Sequence, residues 1–477
     1  MRAEARVTPI ENKNNQSKKK FAFPHIYVIL LIFVAVMSIA SYFIPAGEYE
    51  RVEGPMGRMM INPDVFTFIE STPIGIMEFL TAIPQGMVSA SSVVFFTFMI
   101  GGAFMVLKDT GIIHFGVDRL TRTFISRKVL IIPVLLITFS IITAFIGTPE
   151  LALVYVPILI PLMIKLGYDK MMAAGVALIS TTGGFLAALT NPGTVGLSHQ
   201  IAELPIYSGA GYRFLLLLAI IASGVVFLIR YAKKLEKNPH LVKQSLKETA
   251  SQHIYEEKRY EITTRQKVAG LVVIFMFVGM IYGVLTHQWD FIKLAGYFLA
   301  MGVIVGIVAG MSGNQISESF NKGFRDVLLG AMIIGVARGV AVVMEESQII
   351  DTIIYGLSHV VSSLPSSITV LGMLATQGLF NFFVPSGSGQ ALITMPIMIP
   401  LADIVGTTRQ TAILAFQVGD GLSNIIFPTS GYFMATIAAA GISYGKWAKF
   451  IFPLLIVWFL IGCAFLLVAH AITWGPF

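Results

Sequence analysis

The chain has 477 residues, 55% of them hydrophobic and only 12% charged, with a mean hydropathy of +0.78. Soluble chains carry about twice that charged fraction, so a single soluble globule is excluded. The formal charge of +7 is gathered into two segments, and its placement gives no sign of nucleic-acid binding.

In chain order, residues 1–24 read as a polar, cytoplasmic tail containing "KNNQSKKK", with Arg2, Arg6, Lys13, Lys18, Lys19 and Lys20. A first transmembrane helix is expected over 25–47. The following "FIPAGEYERVEGPMG" offers only a poor cleavage site, so the helix is read as retained rather than as a signal peptide. Apolar runs of spanning character occur at 26–45, 88–107, 129–145, 214–229, 268–285, 291–310, 327–337 with 339–344, 367–384 and 450–469. A span needs about 20 mostly apolar residues, and one buried helix cannot explain nine such runs. The expected fold is therefore an all-α polytopic membrane protein.

A second basic segment at 230–267 carries ten Lys/Arg; with the six in the tail it accounts for 16 of the 33 basic residues. The positive-inside bias puts the N-terminus and the 233–267 linker in the cytoplasm. The linker divides a first repeat (67–232) from two joining helices (268–310) and a second repeat (311–477). "VPILIPL" (156–162) returns as "MPIMIPL" (395–401), five of seven residues identical at an offset of 239, and Gly167 matches Gly406 in that register. Gly86, Gly102, Ile112, Ile113 and Leu120 match Gly323, Gly339, Ile349, Ile350 and Leu357 at an offset of 237, as does "TTGGFLAALTNPGT" (181–194) with "VGDGLSNIIFPTSG" (418–431). Constant order at a nearly constant offset indicates duplication.

Each half also carries a proline-containing, hairpin-like segment, 145–167 and 383–406, too short and proline-rich to read as a plain span. A helix and then a polar break follow: "TNPGT" (190–194) and "PTSG" (428–431). Irregular backbone at membrane depth survives only when buried in protein or lining a wet cavity. Matched interruptions in two halves point to a transporter's binding site. Residues 190–194 and 428–431 are expected to be non-helical and to face one cavity, closed by the hairpin tips at 147–150 and 386–390.

With "GVARGVAVVMEESQIID" (335–351), these tips and breaks resemble the C4-dicarboxylate anaerobic carrier family in its broad sense. Within it the chain resembles the YfcC-type basic amino acid antiporters, relatives of arginine/ornithine exchangers, over nearly everything after residue 25. The resemblance implies a secondary transporter of the bacterial cytoplasmic membrane, with inverted repeats, re-entrant hairpins, an elevator-type transport domain and homodimeric assembly. Repetition is read from the residues; its inversion comes from the resemblance.

The candidate substrate site comprises Thr148 and Glu150 at the first tip, and Thr190, Asn191, Gly193 and Thr194 at the first break. In the second half it comprises Ser386, Gly387, Ser388 and Gly389 at the tip, then Asp420, Asn424, Pro428, Thr429 and Ser430. Asp420 is the deepest acid, and an ionisable residue within a membrane is a functional candidate because it is costly there. Glu150 follows; each acid also has a structural reading, as a buried pair or a wet hairpin mouth. Arg338 either pairs with an acid or meets a substrate carboxylate, and Glu345 and Glu346 mark a helix end at the water boundary. His199 is read as a cavity-wall residue, Cys463 as a small core residue, and Trp447, Trp458 and Trp474 as anchors or core.

Asp420 and Glu150 suit an ammonium group, while exposed N–H groups at the breaks suit a carboxylate. The favoured substrate is a cationic or zwitterionic amino acid. Sodium- or proton-coupled C4-dicarboxylate transport is the alternative, with sodium near Asn191, Asn424 and Thr429. No other cofactor is expected; the partners are a small-molecule substrate and the lipid bilayer. A Gly-rich phosphate loop, G-x-S-x-G and H-E-x-x-H are all absent from the sequence, which argues against an enzyme, and a channel ranks below a carrier.

Overall fold

The computed structural model describes residues 26–53, 59–113, 125–238, 263–287, 289–362 and 365–475, with the isolated residues 115, 116, 119 and 122. The basic tail, Leu120 and most of the linker lie outside the described residues. The first half contains α1 (Ile26–Ala40), α2 (Ile76–Ser89), α3 (Ser91–Asp109), α4 (Ile131–Ile146), α5 (Leu151–Lys165), α6 (Lys170–Leu186), α7 (Leu197–Ile201) and α8 (Ala210–Lys237). The helices α9 (Thr264–His287) and α10 (Phe291–Ala309) join the halves. The second half contains α11 (Gly313–Glu346), α12 (Ile350–Ser362), α13 (Ser366–Phe383), α14 (Gly387–Val405), α15 (Arg409–Ser423), α16 (Gly431–Ala439) and α17 (Tyr444–Ala471). Seven of these helices are long and apolar enough to cross a membrane. The chain is a multi-pass membrane protein.

Local chemistry sets many of these boundaries. Asp169 opens α6 by accepting the Met172 N–H at 2.9 Å, and Ser312 and Gln315 form a capping box on α11. Gly147, Gly310 and Gly406 take left-handed backbone at φ +75°, +92° and +73° and end α4, α10 and α14.

Two expectations need correction. The fold is not wholly helical: β1 (Gly47–Glu53) and β2 (Met59–Phe68) form an antiparallel pair just after α1. Burial along "GEYERVE" begins with strand-like alternation. Asp351 at the start of α12 anchors the pair, accepting the Tyr49 N–H at 2.9 Å and bonding Arg51 at 2.8 Å. The run at 327–344, interrupted in sequence only by Arg338, lies within one continuous helix, α11, along which Arg338 pairs with Glu345 at 2.7 Å. Finally, the hairpin prolines Pro157, Pro161, Pro396 and Pro400 lie inside continuous helices, and α14, at 19 residues, has the length of a span.

The packing falls into two groups. In one, α11 lies against α1, α2 and α3, while α10 packs on α3 and α9. In the other, α6 lies against α4, α5 and α8, α15 against α13, α14 and α17, and α6 against α15. The main bridge between the groups is α11 on α16. The combined span of α2 and α3 (76–109) matches α11 (313–346) at an offset of 237 at both ends. A Cβ on Gly86 would meet Gly339, and one on Gly323 would meet Gly101 and Gly102. Thus the early part of each element meets the late part of the other, so the matched elements run antiparallel.

Candidate functional site

The second group is built around α6 and α15, both buried almost throughout. They cross where Gly421 meets Leu186, with room for no side chain: a Cβ on Gly421 would lie 2.6 Å from Leu186 Cα. Just past the crossing both chains leave the helix.

At the first break, residues 187–191 are irregular and stitched to hairpin 1, formed by α4 and α5. Leu189 N–H donates to Ala144 O at 2.9 Å and Thr190 Oγ1 to Phe145 O at 3.1 Å. Asn191 Oδ1 accepts the Gly193 N–H at 2.9 Å, while its Nδ2 donates to Gly147 O at 3.5 Å. The expectation of non-helical backbone through residue 194 fails: Pro192–Gly196 forms a π-turn leading into α7, closed by Gly196 N–H on Asn191 O at 2.8 Å. Pro192 fits as the first residue of this turn, where its missing N–H would have no partner within the turn. The second break is irregular over 424–430, and Gly431 already begins α16.

Asp420 is fully buried. Its Oδ1 accepts Asn424 Nδ2 at 2.7 Å, and its carbonyl accepts Asn381 Nδ2 at 3.2 Å. Its Oδ2 has no hydrogen-bond partner among the described residues. A Cβ on Gly387, at the tip of hairpin 2 (α13 and α14), would lie 2.9 Å from Asp420 Oδ2, 2.6 Å from Thr194 Cγ2 and 3.4 Å from Phe185 Cζ. The second tip, the first break and the free carboxylate oxygen therefore converge on one point. Glu150 lies in electrostatic reach of Asp420 and of Tyr432, and the hydroxyls of Tyr432 and Thr182 are buried without a hydrogen-bond partner among the described residues. Thr194 Oγ1, Thr429 Oγ1 and Ser430 Oγ are buried without a partner. A carboxylate oxygen, a second acid nearby and spare hydroxyls can grip a cationic group.

Other expected residues serve the frame. Asn424 spends its amide nitrogen on Asp420 and Asn191 its oxygen on the Gly193 N–H. Of the three residues named for sodium, Thr429 alone has a fully buried side-chain oxygen without a partner among the described residues. Ser386 is exposed and caps α14 through the Gly389 N–H at 3.4 Å, with Ser388 and Gly389 half-buried beside it. Thr148 accepts the Leu151 N–H through its carbonyl, and Pro428 is buried within its break. Trp447 and Trp458 are core.

The buried amides of Asn381, Gln377 and Gln417 did not stand out in the sequence, because they carry no charge and lie outside the breaks and hairpin tips. Gln417 Nε2 holds Phe185 O at 2.6 Å, and Gln390 Nε2 holds Gln377 Oε1 at 2.7 Å. Buried oxygens of Asn381, Gln390 and Gln417 remain unpartnered. Amides inside apolar runs were the available signal. Arg213, which the sequence did not single out, is also fully buried.

Residues 23–471 match the family profile described as C4-dicarboxylate anaerobic carrier. The chain is 31% identical to an Escherichia coli (strain K12) protein named "Putative basic amino acid antiporter YfcC", over 90% of this chain and 93% of that one. An uncharacterised protein of Haemophilus influenzae is 27% identical over 95% and 98%. Among solved structures, the YdaH transporter of Alcanivorax borkumensis aligns at 15% identity over 95% of this chain and 100% of that one, TM-score 0.43. MtrF of Neisseria gonorrhoeae, from a class of antimetabolite efflux pumps, aligns at 15% identity over 95% and 96%, TM-score 0.42. On the extent of the family match and of the identity, this chain is a membrane transporter, not an enzyme, and belongs to the C4-dicarboxylate anaerobic carrier family.

Proposed function

We propose that the chain exchanges basic amino acids of the arginine/ornithine kind across the bacterial cytoplasmic membrane, with Asp420 gripping the ammonium end. The observation that carries this reading is the buried, unpartnered Asp420 Oδ2 at the meeting point of Gly387 and Thr194. An ionised carboxylate without a partner is costly in a membrane interior, and a cationic group offsets that cost. Glu150 supplies a second acid for a cationic side chain. The relative named as a basic amino acid antiporter agrees with this chemistry.

The antiparallel packing of α2 and α3 on α11 supports inverted repeats over 67–232 and 311–477. The separation of an α11-centred group from the α6–α15 group supports an elevator, with the latter as the moving body. In this reading the protein works as a homodimer, and both the N-terminus and the 233–267 linker face the cytoplasm. The spare hydroxyls of Thr194, Thr429 and Ser430 favour a second reading, in which sodium or a proton at Asp420 accompanies a carboxylate substrate.

Counterflow in proteoliposomes separates the two. Labelled arginine or ornithine should exchange one for one without sodium. Uptake of succinate alone, dependent on sodium or a pH gradient, would sink the amino acid reading; flux that never saturates would indicate a pore.

A further inference from the structure

The two broken helices leave equivalent carbonyls to be capped, and they are capped with different chemistry. Leu189 and Ile426 match at the offset of 237. In each half the first turn of the following long helix reaches back to that carbonyl. Arg213 of α8 donates from Nη2 to Leu189 O at 3.3 Å and to Ser208 O at 3.0 Å. Tyr444 of α17 donates to Ile426 O at 3.0 Å, and Trp447 donates to Ile425 O at 2.9 Å. Neutral donors therefore suffice for capping, and the charge of Arg213 needs another reason.

That charge is uncompensated. Arg213 is fully buried, its Nε and Nη1 have no partner, and no carboxylate among the described residues lies within 4.0 Å of it. His199 cannot offset it, because an imidazole is neutral or cationic; its Nδ1 sits 2.6 Å from Val195 O, and its Nε2 lies 3.2 Å from Ser208 O and 3.1 Å from Gln410 Nε2. An arginine stays charged in a protein interior and its N–H groups suit carboxylates. Leu189, which it holds, opens the break whose far end, at Thr194, faces Asp420.

We propose that Arg213 binds the carboxylate of the substrate through Nε and Nη1, at the end of the first break opposite Asp420. This makes it a specificity determinant for zwitterionic head groups. The inference rests on the amino acid reading above and adds the anionic half of the site.

The test compares arginine with agmatine, which is arginine without its carboxylate, by competition against labelled arginine on the reconstituted full chain. Wild type should bind arginine at least tenfold more tightly than agmatine. Arg213→Gln should weaken arginine tenfold or more and agmatine less than twofold, collapsing the preference; Arg213→Lys should keep part of it. Wild type with equal affinity for the two ligands would overturn the proposal, a result that needs no variant to fold. So would equal losses for both ligands in Arg213→Gln, the mark of a cap and nothing more. Replacing chloride with gluconate tests the other anion source: an effect confined to wild type, with the arginine preference unchanged in Arg213→Gln, assigns the guanidinium to an inorganic anion and also overturns it. Failure of the cationic reading looks different, because Asp420→Asn would then bind arginine and agmatine as wild type does.

Discussion

Break 1 and break 2 follow equivalent helices and expose equivalent carbonyls, yet one is met by a guanidinium and the other by an indole and a phenol. The acids are unequal too. Asp420 belongs to the helix before break 2, while its match at an offset of 237 in α6 is Gly183. The matched breaks thus differ in charge as well as in capping chemistry. If Arg213 takes the substrate carboxylate as proposed, the site has a cationic end at the first break and an anionic end at Asp420, a polarity that two identical breaks could not provide.

The largest expected effect sharpens the difference between the two tip glycines. Gly387→Val should abolish exchange while leaving membrane insertion intact, because its Cβ would press on Thr194 and on Asp420 Oδ2 together. Gly389→Val should be milder, since a Cβ there meets chiefly Ser386, at 3.1 Å from Oγ. Equal rates in the two variants, measured by counterflow, would remove Gly387 from the meeting point.

Next comes the charge itself. Asp420→Asn should weaken arginine binding tenfold or more, about 1.4 kcal/mol, while melting at or above the wild-type temperature, because an unpartnered buried charge is removed. An unchanged affinity in equilibrium binding would return Asp420 to a structural role.

A capping group should behave differently. Trp447→Phe removes the donor to Ile425 O and should cost about 1–3 kcal/mol of stability with substrate affinity unchanged. Thermal melting beside binding separates the two; a loss of affinity without a loss of stability would make break 2's cap part of the site.

Arg338 should matter least. Its pair with Glu345 is 29% and 46% exposed, so Arg338→Ala should cost under about 1 kcal/mol and leave exchange intact. A tenfold loss of transport would restore the carboxylate-binding alternative for Arg338 and undercut Arg213 as the anionic end's partner.

Residue order and composition alone determined a good deal here. Apolar run lengths decided the membrane setting, because hydrocarbon thickness sets a minimum helix length. The constant offset pointed to a duplication, and the polar breaks and deep Asp420 marked the candidate site, because irregular backbone and charge are costly in lipid. Tertiary structure alone decided what those residues do. Whether Asn424 faces a ligand or Asp420 depends on a side-chain direction that spacing cannot give, and the π-turn at Pro192–Gly196 depends on which amide reaches Asn191 O, here that of Gly196. The β-pair after α1 is held by Asp351, some three hundred residues downstream. Arg213 did not stand out in the sequence because its partners, Leu189 O and Ser208 O, are backbone atoms that any sequence contains. A local pattern reveals what a residue costs to bury; only the fold shows what offsets that cost.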